Sequence, residues 1–209
     1  MYLFVSGGAR TGKSNLIRAI YHTIQLVLRT EGETPDLTTG TAVFNIEGIT
    51  IYNALLFTTL GGSNKNKKRR HSHHPFSDQK RNTLRSKLSS LCFIIIDEIS
   101  MVGSDMFLKI DSRLKELFGG PKYFGEISII TFGDMFQIPP VGQSMLFLPT
   151  RGEYAALGPS LCAENIKYFE LTEIMRQQGD KRFAELLNRL RTGAHTAEDI
   201  YRAAENKDI

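Results

Sequence analysis

Apolar residues recur along this 209-residue chain in two spacings that alternate from segment to segment. Short continuous apolar runs are typical of strands covered on both faces, and they predict strands over 2–6, 92–96, 127–132 and 166–171. Apolar residues three or four positions apart predict helices over 13–29, 50–60 and 77–91, a helix through 106–117 that ends at Gly119, and a last helix through 183–190 that ends near Gly193. A turn-rich connection is expected over 31–39. Strands that alternate with helices imply an α/β fold with a mostly parallel sheet and helices on both faces.

The composition is that of an ordinary globular protein, because 41% of the residues are hydrophobic and 23% are charged. No stretch approaches the roughly 18 consecutive apolar residues that a membrane-spanning helix needs. The first five residues are apolar, but they have no basic lead and run into glycines, so no secretory signal is expected. Two cysteines cannot form a disulfide framework, and neither lies in a metal-binding spacing. We therefore expect an intracellular protein.

Positive charge is concentrated in one part of the chain. The net charge is +4, yet the stretch from Gly61 to Ser90 holds nine basic residues and one acidic residue, so the remainder carries −4. The positions from Asn64 to His74 contain no apolar residue and can bury nothing, which predicts a mobile loop there, within a basic insertion over 61–80. A solvated surface loop, a nucleic-acid contact and a nuclear-import signal each fit this composition.

The clearest chemical signal lies between the first predicted strand and the first predicted helix. The residues there fit G-x-x-x-x-G-K-[ST], the pattern of a phosphate-binding loop in its required context. They are Gly7, Gly8, Ala9, Arg10, Thr11, Gly12, Lys13 and Ser14. The glycines let successive backbone N–H groups face phosphate oxygens, and the helix N-terminus adds partial positive charge. Lys13 would reach the β- and γ-phosphates of a nucleotide, and Ser14 would hold Mg²⁺.

Two further motifs follow predicted buried strands. Asp97 and Glu98 come directly after the apolar run at 92–96. There Asp97 would hold Mg²⁺, and Glu98 would act as the general base that polarises an attacking water. Gln137 follows the strand at 127–132 and a Gly-Asp turn. An uncharged donor at that place can sense a γ-phosphate, although the residues alone also fit a plain turn. The phosphate loop and the carboxylates together indicate Mg-nucleotide hydrolysis, or at least binding.

These motifs carry a resemblance to a known family. Together with the phosphate loop, Ile95–Met101 and Gly133–Val141 resemble the PIF-type DNA helicases, in the RecD-like branch of superfamily 1. Thr39–Tyr52 resembles the family's segment that touches single-stranded DNA, and Leu171–Gln177 with Leu190–Gly193 resembles the end of its first motor domain. The five motifs occur in the family's order across nearly the whole chain. The sequence is also similar to relatives encoded by Helitron-type transposons and their host genomes.

The resemblance implies a fold and a set of site residues. The fold would be a RecA-like P-loop NTPase domain over 1–209, the first motor domain of such an enzyme. The implied catalytic residues are Lys13, Glu98, Gln137 as γ-phosphate sensor, and Arg176 as a second side chain that reaches the γ-phosphate. The implied DNA contacts are Phe44, Asn45, Gly48, Thr50, Pro139 and Pro140. Stacking of a base on Phe44 would typically be worth about 1–3 kcal/mol, and a core aromatic is the alternative there.

The chain departs from the family pattern at two places. Arg10 stands where the family usually has glycine, and Tyr52-Asn53 stands where it usually has His-Ser. An arginine at a position that needs positive φ would be strained. The second departure weakens the prediction of DNA contacts in the segment before it.

The resemblance also implies an activity. It is that of an ATP-dependent 5′-to-3′ DNA helicase that uses ATP with Mg²⁺ and binds single-stranded DNA. Such an enzyme would serve DNA repair, recombination and telomere maintenance. Its expected location is the nucleus, with the mitochondrion as the alternative. The family's adenine-reading glutamine motif and second RecA-like domain are not in this sequence. We therefore expect weak nucleotide binding, very slow hydrolysis and no unwinding by this chain alone. A truncated gene model of a full helicase is the favoured explanation. A P-loop ATPase that acts as an oligomer and a nucleic-acid-binding remnant of a helicase remain alternatives.

Overall fold

A computed structural model describes residues 1–8, 11–30, 38–39, 49–57, 76–89, 91–149, 165–173 and 181–205. The strands are β1 (Tyr2–Gly7), β2 (Thr38–Thr39), β3 (Phe93–Ile96), β4 (Ser128–Gly133) and β5 (Lys167–Leu171). The α-helices are α1 (Lys13–Thr30), α2 (Ile51–Ala54), α3 (Asp78–Lys87), α4 (Ser104–Phe118), α5 (Lys181–Thr192) and α6 (Ala197–Glu205). Short 3-10 turns occupy Ile99–Met101 and Tyr123–Glu126. Over these ranges, none of the helices has the length and apolar character needed to span a lipid bilayer.

The strands form one parallel sheet in the order β2-β3-β4-β1-β5. Val5 of β1 lies between Phe132 of β4 and Phe169 of β5, and Ile95 of β3 lies opposite Ile130 of β4. Because all strands point the same way, the carboxyl ends of β3, β4 and β1 meet at one edge of the sheet. The predicted α/β class with a parallel sheet is therefore confirmed.

Both faces of the sheet are covered at β1, β3 and β4, which explains the continuous apolar runs of these strands. β5, at the edge, is largely exposed, so the expectation of a strand covered on both faces is wrong there. On one face, Val5, Ile95 and Ile130 pack with Ile17 of α1. On the other face the alternate strand residues meet α3 and α4: Phe4, Ile94 and Ile129 join Leu84, Ile110 and Leu114. Each such side chain, fully buried, contributes about 1.5–3 kcal/mol. This packing fixes the strand ends that carry the candidate site.

The helices differ from the sequence predictions at their ends. The helix predicted over 50–60 ends at Ala54, and residues 58–60 lie outside the described part of the chain. Thr50 is its N-cap, because the Thr50 side chain accepts the N–H of Asn53 at 3.3 Å. The helix predicted over 77–91 ends at Lys87. Leu88 and Leu91 are nevertheless buried, because the chain that follows the helix still packs on the core.

Among the residues that the structure describes, one strand and one α-helix were not predicted. The connection predicted over 31–39 contains β2, which pairs with Ile95 and Ile96 at the edge of the sheet. Two residues are too few for a periodic signal, and only the pairing with β3 makes them a strand. A further helix, α6, follows the one predicted as last. Its start is marked by Thr196, which exchanges capping hydrogen bonds with Asp199. That Thr-x-x-Asp spacing is a sequence signal that could have identified it.

Candidate nucleotide-binding site

The predicted phosphate loop connects β1 to α1 and is tightly closed. Gly12 has φ +90°, a backbone conformation that favours glycine. A Cβ on Gly7 would collide with the Thr11 hydroxyl, so glycine is also required there. The same hydroxyl donates to the Gly8 carbonyl at 2.9 Å, which holds the loop across its base. Ala9 and Arg10 lie outside the described residues.

Lys13 is the first residue of α1, and its side chain folds back over the loop. The Lys13 ammonium donates to the carbonyl oxygens of Gly7 at 2.7 Å and Gly8 at 2.9 Å. Ser14 follows and is exposed at the same helix end. The N-terminus of a helix attracts anions through its unsatisfied N–H groups and its dipole. The loop therefore joins a cation, a hydroxyl and a helix N-terminus in the arrangement that phosphate binding requires.

Asp97 and Glu98 leave β3 in a strained turn. The Asp97 carboxylate accepts the N–H of Glu98 at 3.0 Å. Glu98 itself has φ +56° and ψ 54°, in the left-handed region that non-glycine residues rarely adopt. Its carboxylate accepts the hydroxyl of buried Ser100 at 2.7 Å, so the side chain is oriented. Strain of this kind persists where the surrounding structure imposes it, and it is common at functional sites.

The turn after β3 packs directly on the end of β4. A Cβ on Gly133 would stand 2.9 Å from Cγ2 of Ile99 and 3.0 Å from its backbone nitrogen. Only glycine lets the two strand ends approach so closely. The contact places the Gly133-Asp134 turn beside the Asp97-Glu98 turn, which brings two of the predicted motifs together.

The segment that carries Gln137 is a turn built on Asp134. The Asp134 carboxylate accepts the N–H of Phe136 at 3.1 Å, and its carbonyl accepts the N–H of Gln137 at 2.9 Å. The side chains of Gln137 and Pro139 are exposed, whereas Pro140 is buried. The turn therefore has a fixed backbone and presents the Gln137 amide to solvent.

The chain beyond the two prolines is pinned to α4. The Gln143 amide oxygen accepts the N–H of Met106 at 3.2 Å, and the Ser144 carbonyl accepts the N–H of Ser104 at 3.0 Å. Gly103 is the N-cap of α4 and has no side chain to cap the helix, so Gln143 takes that role. A Cβ on Gly103 would collide with Gln143. The Gln137 turn is thus held at both ends.

Sequence reasoning missed an ion pair beneath this turn. Arg191 of α5 binds Asp134 through two hydrogen bonds, from Nε at 2.5 Å and Nη2 at 2.7 Å. Burial raises the pKa of the Asp134 carboxyl, but the bonds from Arg191 and the Phe136 N–H outweigh it, and the pKa lies below its usual value. The positive charge of Lys13 acts in the same direction. Asp134 follows a buried strand directly, as Asp97 does, and that signal could have identified it. Arg191 lies in the Leu190–Gly193 stretch that resembles the family, but that match did not indicate a pairing with Asp134.

The predicted site residues divide into three groups. Lys13, Asp97 and Gln137, with their neighbours Ser14 and Glu98, lie at or just beyond the carboxyl ends of adjacent strands, β1, β3 and β4. Thr50 is at the start of α2, where its side chain caps the helix. Pro139 and Pro140 lie in the turn that carries Gln137. Arg176, Phe44, Asn45 and Gly48, like Ala9 and Arg10, lie outside the described residues.

Comparisons with known proteins identify what this arrangement is similar to. The family model described as PIF1-like helicase matches residues 1–200. The ATP-dependent DNA helicase PIF1 of Saccharomyces cerevisiae (strain YJM789) is 32% identical over 195 residues, which is 91% of this chain and 21% of that protein. The helicase of the same name from Candida albicans is 33% identical over 210 residues, which is 96% of this chain and 22% of that protein.

Solved structures give the same result. The crystal structure of the Pif1 helicase from Candida albicans has a TM-score of 0.74 at 28% identity and covers 100% of this chain and 44% of that chain. The Bacteroides Pif1 helicase in complex with ADP-AlF3 and ssDNA has a TM-score of 0.66 at 27% identity and covers 99% of this chain and 46% of that chain. The chain therefore spans about a fifth of the length of these curated relatives. It spans less than half of the solved chains.

Proposed function

Because this chain belongs to the PIF1-like helicase family, we propose that it is the first RecA-like motor domain of an ATP-dependent DNA helicase. In this role it couples hydrolysis of Mg-ATP to movement on single-stranded DNA in the 5′-to-3′ direction. The observation that carries the proposal is the convergence of the phosphate loop, the Asp97-Glu98 turn and the Gln137 turn at one sheet edge. A second RecA-like domain completes the active site. We place the protein in the nucleus, with the mitochondrion as the alternative.

Nucleotide binding uses the groups that now bond within the loop. The phosphates of ATP replace the carbonyls of Gly7 and Gly8 as partners of the Lys13 ammonium. The ammonium then exchanges two neutral carbonyl partners for an anionic one, and the attraction between opposite charges makes the exchange favourable. The N-terminus of α1 supplies the remaining donors.

The residues beside the loop fit a magnesium ion. Mg²⁺ prefers oxygen ligands and usually takes one or two protein groups together with substrate phosphates. The Ser14 hydroxyl and the Asp97 carboxylate are such ligands, and they lie at the ends of β1 and β3, with β4 between these strands. When bound with ATP, the ion neutralises charge that develops on the transferring phosphate.

Hydrolysis requires a positioned base and contacts to the γ-phosphate. Glu98, oriented by the Ser100 hydroxyl, polarises the attacking water. Gln137 hydrogen-bonds the γ-phosphate and reports its loss. Arg176 is proposed as a further γ-phosphate contact on the strength of the family resemblance.

The DNA contacts follow from the family as well. A Bacteroides Pif1 has been crystallised bound to ssDNA and superposes on this chain with a TM-score of 0.67 at 25% identity. We assign DNA contacts to Phe44, Asn45, Gly48, Thr50 and Pro139. Pro140, which was predicted with them, is buried and would only support the edge of the channel. Pro139 is exposed beside Gln137, which would link DNA contact to the state of the nucleotide.

Fluorescent nucleotide binding and ATP hydrolysis test the proposal. The 209-residue chain should bind mant-ATP with Mg²⁺, hydrolyse ATP slowly and fail to unwind a forked duplex. Lys13→Ala should abolish binding, whereas Lys122→Ala, which removes an exposed lysine that pairs with Glu126, should not. Binding that survives Lys13→Ala would contradict the proposed site. A rate of ATP hydrolysis per molecule that rises with protein concentration would instead favour an ATPase that completes its site by self-association.

A further inference from the structure

Arg191 lies where three parts of the site meet. Its guanidinium holds both oxygens of Asp134, whose side chain is 1% exposed. It also stands over the ring of Phe136, with Cζ 4.8 Å from the ring centroid. The phosphate loop is its third neighbour, because a Cβ on Gly8 would lie 3.5 Å from Cζ and Nη1 of Arg191. One side chain of α5 therefore lies beside the phosphate loop and binds the turn that carries Gln137.

The pair with Asp134 has a geometry that resists displacement. A bidentate arginine–carboxylate pair fixes orientation as well as distance, and a lysine cannot reproduce it. Asp134 in turn fixes the backbone of the next three residues through Phe136 and Gln137. A change in the position of Arg191 is therefore transmitted to the Gln137 turn.

A second pair on the same helix serves as an internal comparison. Arg189 binds Asp199 with the same two nitrogens, Nε at 2.8 Å and Nη2 at 2.6 Å. That pair joins α5 to α6. The two arginines thus make equivalent bonds two residues apart, but only Arg191 contacts the candidate site.

We propose that Arg191 is a positioning residue that holds the Gln137 turn against the phosphate loop, so that the protein distinguishes ATP from ADP. The inference rests on the proposed function, and it adds a residue outside the recognised nucleotide motifs to the site. Gln137 can meet a γ-phosphate only if its turn keeps a fixed place relative to Lys13 and Gly8. ADP makes no use of that placement, because it lacks the γ-phosphate.

The test compares two nucleotides on the full chain. Dissociation constants are measured for mant-AMP-PNP and mant-ADP, each with Mg²⁺, for wild type, Arg191→Lys and the matched control Arg189→Lys. Arg191→Lys should reduce the preference for the triphosphate at least about five-fold, within the usual range of coupling between sites. Its affinity for mant-ADP should stay within about two-fold of wild type, and Arg189→Lys should change neither value.

Three results would overturn the inference while leaving the proposed function intact. They are an equal loss of affinity for both nucleotides in Arg191→Lys, an unchanged preference in that variant, and a wild type that binds both nucleotides equally well. If thermal melting shows that Arg191→Lys is unfolded, Phe136→Leu replaces it. Phe136 is 63% exposed, and its loss loosens Arg191 without breaking the buried pair. An unchanged preference in Phe136→Leu then overturns the inference, whereas a wild type that binds neither nucleotide overturns the proposed function and the inference with it.

Discussion

Replacing Glu98 by glycine should give a more stable protein than replacing it by alanine. Glu98 has φ +56°, in the left-handed region. Both substitutions remove the carboxylate and its hydrogen bond from Ser100, so that loss cancels in the comparison. The difference between the variants therefore reports the strain of the backbone at this position, offset by the greater freedom of glycine in the unfolded chain.

The magnitude follows from two opposing effects. A residue with a Cβ costs about 1–2 kcal/mol in the left-handed conformation, and glycine relieves this. Glycine has more conformational freedom in the unfolded chain, which lowers the stability of the glycine variant by about 0.4–1 kcal/mol relative to alanine. Between the central values of the two ranges, the net advantage of Glu98→Gly over Glu98→Ala is about 0.8 kcal/mol. For a chain of this size that corresponds to a rise in the melting temperature of about 1–4 °C.

Urea denaturation and thermal melting of the two variants measure this difference. Both variants should still bind mant-ATP but lose ATP hydrolysis, because the proposed general base is gone. Glu185 is exposed on α5 and provides the control, because in a helix the order reverses and alanine should be more stable than glycine by about 1 kcal/mol. If Glu98→Ala proves as stable as Glu98→Gly while the control behaves as expected, the reasoning about backbone strain is refuted.

Two further predictions concern the elements around the site. Gln143→Ala removes the cap of α4 and should lower the free energy of unfolding, measured in urea, by about 1 kcal/mol. Gln143→Glu keeps an acceptor for the Met106 N–H and should leave the free energy of unfolding near the wild-type value. An equal loss of stability in both variants would contradict the role of Gln143 as the cap of α4. The lowered pKa of Asp134 means that its contribution to stability is complete above the unfolded value, about 3.8, and is lost as the pH falls through the folded value. Asp134→Asn should therefore lose less stability than wild type between about pH 5 and pH 2. If the free energy of unfolding falls with pH equally in both proteins, the Asp134–Arg191 pair does not contribute to stability as described.

Local pattern was enough to predict the elements that carry the phosphate loop and the carboxylates. β1, β3 and β4 are continuous apolar runs because both faces of the sheet are covered. The glycine spacing before Lys13 reflects backbone requirements that the structure shows at Gly7 and Gly12. Such features can be predicted from the sequence because they depend on residues that are neighbours in the chain.

Helix ends and short strands were less predictable. β2 is a strand only because Ile95 and Ile96 pair with it, and α2 ends at Ala54 although apolar residues continue beyond it. Apolar periodicity reports burial, and residues such as Leu88 remain buried after the helix has ended. Pattern therefore locates the core more reliably than it locates the ends of the elements.

The tertiary structure alone decided how the motifs meet. The strand order brings Asp97 and Asp134 to the same edge although they are distant in sequence, and the absence of a side chain on Gly133 lets their turns touch. Arg191 reaches Asp134 across 57 positions, and no local pattern encodes that contact. By itself the sequence determined which residues could bind phosphate and activate water. Long-range packing determined which side chains hold them in place, because orientation in a buried ion pair depends on where distant helices lie against the sheet.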